Sequence, residues 1–302
     1  MKNILSNSHK GDIVTVAGKY SVIECQKCTF KHIYPIPTQE DVIKLYSKTF
    51  YTSEKKNYIK DAKEDLEWWR KTYQNYYSIL EKYSAGRKIL DIGSGPGYFL
   101  KVGKELGWNV LGIEPSKQAH AYSTGLGINV INDFFSAKVV NQFGPFDVVS
   151  LNLVLEHIPN PIVFLEQIKS ILSPNGLLFI LSPNDYNPLQ EILYQHLHYK
   201  SWWVVPDHHI NYFNIHSIKK VLHSLHFIIV DTLATYPMEF FLLQGNNYIG
   251  NRTIGRKCHR LRKEFELHML QYNPNLLNSL YRDIIQSNIG REFVVIGRIN
   301  NT

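Results

Sequence analysis

The 302-residue chain has only three cysteines, an odd number with two of them three positions apart, which excludes a disulfide framework. It has no apolar run of the roughly 18 residues that a membrane helix needs. Its first thirty residues lack the basic start and apolar core of a signal peptide. These absences predict a cytoplasmic protein with reduced thiols and no membrane span. No internal repeat or low-complexity tract is present, which excludes solenoids and arrays. Hydrophobic residues make up 44% and charged residues 20%, ordinary values that exclude a disordered chain. The net charge of +7 favours anionic partners without choosing among nucleic acid, an acidic membrane face and phosphate-linked metabolites.

What is present falls into zones. Residues 1–85 hold a cysteine-bearing segment and then a Tyr/Trp-rich stretch. Leu66, Trp69, Tyr73, Tyr76 and Leu80 recur there at three or four, predicting a helix over 64–83 packed on a core. From residue 88 to about 183 short apolar runs (KILDIG, NVLGIE, INVIND, FDVVSLNLV, GLLFILS) alternate with amphipathic ones (GYFLKVGKELG, KQAHAYSTGLG, PIVFLEQIKSIL). Strict alternation predicts βαβ units and a parallel sheet. HSIKKVLHSLHFIIVDTLA reads as a further helix and strand, and REFVVIGRI as the last strand. The fifty or so residues between them, 235–290, read as a helical insertion, a lid or substrate wall.

KILDIGSGPGYF, residues 88–99, is a glycine-rich turn between a strand and a helix, the device that brings backbone and helix N-terminal amides close to a ligand. A dinucleotide site has G-x-G-x-x-G. Here the third position is Tyr98, and the glycines are Gly93, Gly95 and Gly97. Asp91 stands at the strand's carboxyl end, where it would repel a pyrophosphate and suit an ammonium. Glu114 ends the next strand, placed to accept both hydroxyls of a ribose. A ribose, an amino-acid ammonium and no phosphate describe S-adenosylmethionine.

LDIGSGPGYFL, LGIEPS, FDVVSLNLVLEHIPNP and ILSPNGLLFILSPN resemble, in order and separation, the motifs of class I S-adenosylmethionine-dependent methyltransferases. The resemblance covers residues 86–183 well and 205–235 in part. It implies an α/β fold: a Rossmann-like seven-stranded sheet with helices on both faces and the last strand antiparallel. The methyltransferase domain would span 86–302, with 1–85 as an N-terminal extension and 235–290 as the insertion before the last strand. It also implies roles. Asp91, Gly93, Ser94, Gly95, Gly97 and Tyr98 would line the methionine part of the cofactor, and Glu114 would hold the ribose, with Pro115 and Ser116 beside the adenine. Asp133 would meet the adenine amino group with Phe134 packed nearby. Asn152 and Leu153 would sit under the sulfonium. S-adenosylhomocysteine would be the product.

Cys25 and Cys28 have zinc-knuckle spacing, with His32 four residues on. A structural zinc needs four ligands and one CxxC supplies two. The segment resembles the N-terminal ribbon of some methyltransferases of this group, which carry an earlier CxxC. Here SNSHKGD stands in that place, with His9 as the candidate ligand. That departure favours a metal-free hairpin, zinc on Cys25, Cys28, His32 and His9 being the alternative. Cys258 stands alone and reads as a packing residue.

Methyl transfer to a hydroxyl needs a base near the cofactor's methyl group. The candidates are His157 in LEHIP and Asp207, His208 and His209 in PDHHINYF, with Tyr212 beside them as an acceptor contact. No third carboxylate stands near that stretch to complete a divalent-metal site. Arg256, Arg260 and Lys263 share a helical face and could hold an acceptor phosphate. The Asn/Asp-Pro-Pro-aromatic turn of adenine-modifying enzymes is absent, SLNLV standing there instead. No basic stripe or RNA-binding module accompanies it, so nucleic acid is the weaker partner. By analogy the layout resembles small-molecule methyltransferases, including those that O-methylate sugars or phosphate-linked precursors of surface polysaccharides. The competing readings are an RNA or protein methyltransferase and a catalytically silent cofactor-binding scaffold.

Overall fold

A computed structural model describes residues 3–5, 9–44 and 64–299. Twelve strands among them form two sheets. The larger has the order β11-β12-β9-β8-β5-β6-β7: β5 is Lys88–Ile92, β6 Asn109–Ile113, β7 Val130–Ile131, β8 Phe146–Asn152, β9 Leu172–Pro183, β11 Phe227–Ala234 and β12 Glu292–Ile299. β5 to β9 pair in parallel, and β12 runs antiparallel to both β9 and β11. The Rossmann-like seven-stranded sheet is the fold the motifs implied. Its central strands are buried on both faces, Ile89, Leu90, Val148, Val149, Leu178 and Ile180 being wholly covered. This is why they read as continuous apolar runs rather than alternating ones.

The chain leaves β5 toward β6 and β7, then crosses back to β8 on β5's other side. The carboxyl ends of β5 and β8 therefore flank the crevice where open α/β sheets bind ligands. Four of the helices that follow strands begin at side-chain caps: Ser116, Asn160 with Pro161, Asn187 with Pro188, and a capping box between Asn214 and Ser217. These caps fix where each strand-to-helix loop ends.

The smaller, antiparallel sheet has the order β1-β2-β3-β4-β10, comprising Asn3–Leu5, Lys10–Ala17, Tyr20–Cys25, Lys31–Tyr34 and Asn211–Tyr212. Its last strand comes from the PDHHINYF stretch, and Ile33 donates to the Ile210 carbonyl at 2.8 Å. The N-terminal ribbon is thereby stitched to the methyltransferase-like body beside the crevice. Val22, Ile33, Val42, Trp203, Ile210 and Tyr212 form its own small core. Where the spacing favoured a metal-free hairpin, the ribbon gathers His9, Cys25, Cys28 and His32, with donor atoms all within 4.8 Å of one another.

The 235–290 stretch forms helices Glu239–Leu243, Arg252–Tyr272 and Pro274–Gln286. Arg252–Tyr272 packs on helix Leu66–Tyr83, and Pro274–Gln286 lies on β11. Buried Glu266 joins these pieces, accepting from Trp68 Nε1 and Tyr281 Oη at 2.6 Å each, while the Arg262 guanidinium lies over the Trp68 ring. Arg282 clamps Asp231 of β11 with two bonds of 2.8 and 2.7 Å.

Candidate active site

The glycine turn is held tightly against the ends of β6 and β8. Gly93 N–H donates to the Ile113 carbonyl at 2.8 Å and Gly95 N–H to Glu114 Oε2 at 2.9 Å. Gly93, Gly95 and Gly97 all have φ between 51° and 79°, the left-handed region that costs a side-chain-bearing residue about 1–2 kcal/mol. At Gly93 a Cβ would also stand 2.7 Å from Val154 Cγ2. Gly93→Ala is expected to destabilise the chain by about 2 kcal/mol and to push Val154 into the cleft, a shift that urea unfolding measures.

Two buried carboxylates lie around the turn. Asp91 accepts from Ser150 Oγ at 2.7 Å and Asn152 Nδ2 at 2.9 Å. Glu114 accepts from Gly95 and, through Oε1, from Ser116 N–H at 2.8 Å. Burial, only partly opposed by these donors, pushes Asp91 up to about 7 and Glu114 to about 6. Ser94 Oγ and Asn152 Oδ1 are buried with no hydrogen-bond partner among the described residues.

Above them lies a cleft of about 920 Å³, including its open mouth. Gly93, Glu114, Pro115, Asp133, Phe134, Leu153 and His157, all among the expected site residues, line it. Val42, Phe135, Val154, Ile158, Pro159 and Phe164 line it too, and sequence reasoning missed these; Phe135 and Phe164 meet edge to face at 5.2 Å. Leu153 holds φ 56°, a conformation rare for a leucine, and its side chain stays 39% exposed over the cleft. Asp91, Ser94, Gly95, Gly97, Tyr98, Ser116 and Asn152 stand behind the lining. Tyr98 instead bonds Tyr122 hydroxyl to hydroxyl at 3.0 Å. Asp133 uses its carboxylate on the Phe134 N–H at 2.7 Å.

A second cavity adjoins the first, lined by Lys19, Tyr20, residues 35–37, Asp41, Val42, His157, Pro206, Asp207, His208 and Ile210. Among the described residues, only Val42 and His157 line both. The ring Nδ1 of His157 lies 2.8 Å from the His208 carbonyl, which can only accept, so Nδ1 is the donor there. Nε2 is 3.8 Å from Glu156 Oε1. Burial raises Glu156 to about 8, and Ser182 Oγ donates to it at 3.1 Å. Its neighbour in LEHIP drew attention; Glu156 itself gave no signal. His209 packs behind His157, ring centroids 5.1 Å apart.

The remaining expected site residues fall elsewhere. Tyr212 is 2% exposed in the ribbon's small core, because β10 pairs with β4 there, and lines neither cavity. Arg256, Arg260 and Lys263 line a separate groove with Glu64, Asp65 and Tyr248. Lys263 is engaged by Asp65, which also binds His259 Nε2 at 2.8 Å, and Arg260 faces Glu264. No residue of 235–290 lines the two adjoining cavities.

Residues 65–232, over half of the chain, match the profile of the methyltransferase domain. The chain belongs to the methyltransferase domain family. Curated relatives include the ubiquinone biosynthesis O-methyltransferases of Actinobacillus pleuropneumoniae serotype 7, 32% identical over 109 residues, and Colwellia psychrerythraea, 35% identical over 103. Those stretches make up 33% and 32% of this chain and 47% and 42% of the relatives, so the chain spans about half of the length of the curated relatives it matches. Among solved structures, the fold is like that of the 1,6-didemethyltoxoflavin-N1-methyltransferase of Burkholderia thailandensis (TM-score 0.54, 12% identity, covering 96% of this chain and 100% of that one). It is also like that of the plantazolicin methyltransferase BpumL (TM-score 0.51, 19% identity, 86% and 97% covered). Both were solved with S-adenosylhomocysteine.

The chain's own residues fit S-adenosylmethionine. The side-chain-free turn at Gly93 admits a close ligand, and the unpaired Asn152 Oδ1 and the Asp91 carboxylate suit an ammonium. Glu114 has used two of its four lone-pair positions, leaving two for ribose hydroxyls. The apolar walls at Phe134, Phe135 and Phe164 suit a purine.

These raised carboxyls predict a pH-dependent stability. Asp91 and Asp185 at about 7 and Glu156 at about 8 bind protons more tightly folded than unfolded, where they sit near 4. Folding therefore loses roughly 1.4 kcal/mol per pH unit per group as pH climbs from the unfolded to the folded value. The Tm of the ligand-free chain is expected to fall by several degrees between pH 6 and 8, as scanning calorimetry would show. Asp91→Asn should flatten the profile.

Proposed function

We propose that this methyltransferase transfers the methyl group of S-adenosylmethionine to a hydroxyl oxygen of a small acceptor held in the second cavity. The acceptor is a sugar or a phosphate-linked carbohydrate precursor of a surface polysaccharide. The observation that carries this reading is the position of His157, which lines both the cofactor cleft and the adjoining cavity. Bound S-adenosylmethionine supplies an electrophilic methyl group for in-line displacement. His157 Nε2 takes the hydroxyl proton as the new O–C bond forms, and Nδ1–H stays on the His208 carbonyl to hold the ring. Asp207 in the cavity wall suits a further sugar hydroxyl, and Lys19 an anionic group. A phenolic hydroxyl is the second reading, favoured by the O-methyltransferase relatives.

Incubation with methyl-labelled S-adenosylmethionine and panels of nucleotide sugars, phenols and mixed RNA tests this. Alkali-stable label on a sugar hydroxyl is the expected result. Label on the phenols alone would replace the acceptor class. Label on RNA with a steep salt dependence, or none anywhere despite cofactor binding, would overturn the reading.

A further inference from the structure

The geometry points to a closed tetrahedral zinc site in the N-terminal ribbon, formed by His9, Cys25, Cys28 and His32. His9 Nδ1 lies 3.5 Å from Cys25 Sγ, 3.4 Å from Cys28 Sγ and 3.2 Å from His32 Nε2. One ring nitrogen carries either one proton or one lone pair, so hydrogen bonding satisfies at most one of these three approaches. A cation at the centre satisfies all four donors together. The separations agree with that. Zinc bonds of ~2.0–2.3 Å at tetrahedral angles place nitrogen and sulfur about 3.5 Å apart and two nitrogens about 3.3 Å apart.

The surroundings are also arranged for a metal. His32, 1% exposed, donates Nδ1–H to the Ile33 carbonyl at 2.8 Å, which aims the Nε2 lone pair into the cluster. The Cys28 N–H points at Cys25 Sγ at 3.4 Å, a donor that favours thiolate. Thr29, at φ 63°, closes the turn by donating to the Cys25 carbonyl. On binding, the two thiols release two protons, and two thiolates with two neutral imidazoles leave a zinc site of zero net charge, suited to burial. A donor set of two sulfurs and two nitrogens selects zinc among divalent ions, and four protein ligands leave no open position, so the role is structural.

The β2–β3 pairing, with Gly11 opposite Cys25, brings His9 over the knuckle. The site clips the start of β2 to the β3–β4 turn. The same ribbon supplies Lys19, Tyr20 and residues 35–37 to the second cavity, so the metal would hold that wall in place.

Elemental analysis of the full chain purified without chelator is expected to find one zinc per chain. Cys28→Ser and His9→Ala should each lose at least tenfold in occupancy, while Cys258→Ser retains it. Cobalt exchange should give the intense visible bands of a tetrahedral ion with thiolate charge transfer, a readout that stands even if the variants do not fold. Wild-type chain that stays metal-free after reloading with zinc, a weak octahedral cobalt spectrum, or zinc retained in both ligand variants would overturn the assignment.

Discussion

Asp91→Asn is expected to weaken S-adenosylhomocysteine binding about a hundredfold, roughly 2.7 kcal/mol, in isothermal titration calorimetry. Asparagine keeps an oxygen for Ser150 Oγ and Asn152 Nδ2, so the change removes charge with little change of shape. What the change removes is the negative charge proposed to meet the ligand's ammonium. Since burial holds Asp91 at about 7 in the free chain, only the ionised fraction binds an ammonium well. Wild-type affinity should therefore tighten from pH 6 to pH 8, by up to about tenfold per unit below 7, and the variant's should be flat. Equal affinities for variant and wild type would remove Asp91 from the cofactor site.

The second large effect is on turnover. His157→Ala should lower kcat by about a hundred- to ten-thousandfold, the usual range for losing a general base. S-adenosylhomocysteine affinity should stay within about threefold, because the residues proposed to hold its ammonium and ribose are Asp91 and Glu114 rather than His157. A variant that lost turnover and cofactor binding together would show that His157 acts by supporting the turn at Leu155–His157. Asn211 already braces that turn through the Leu155 and Ile158 carbonyls at 3.1 and 2.7 Å, so the turn has support that does not depend on His157.

The glycine turn and the two carboxylates around it were legible because they lie close together in the sequence. A glycine turn, a carboxylate two residues before it and another at the end of the next strand are written within residues 91–114, and βαβ periodicity fixes how they meet. The cleft walls were not legible for a related reason. Val42 lines the crevice from helix Gln39–Lys44 and shares the small core with Ile210 and Tyr212, from the far-off stretch whose strand β10 pairs with β4, and no spacing in the sequence announces that meeting. The same pairing drew Tyr212 into the ribbon's core and set Asp207 and His208 at the second cavity while turning His209 behind His157. Arg256, Arg260 and Lys263 do share a helical face, as their spacing predicted, but that face meets Asp65 and Glu64. Helical periodicity gives the face and leaves its neighbour undetermined. Glu156 and Asp185 escaped notice because burial of a carboxylate is a tertiary property, and neither sits in a pattern that marks it.

A crystal structure with S-adenosylhomocysteine bound tests the central claim most directly. The account predicts the ammonium at Asp91 and Asn152, the ribose hydroxyls on Glu114, the adenine among Phe134, Phe135 and Phe164, and the sulfur facing His157 Nε2 toward the second cavity. A ligand bound away from the Gly93 turn, or a sulfur turned away from His157, would contradict it.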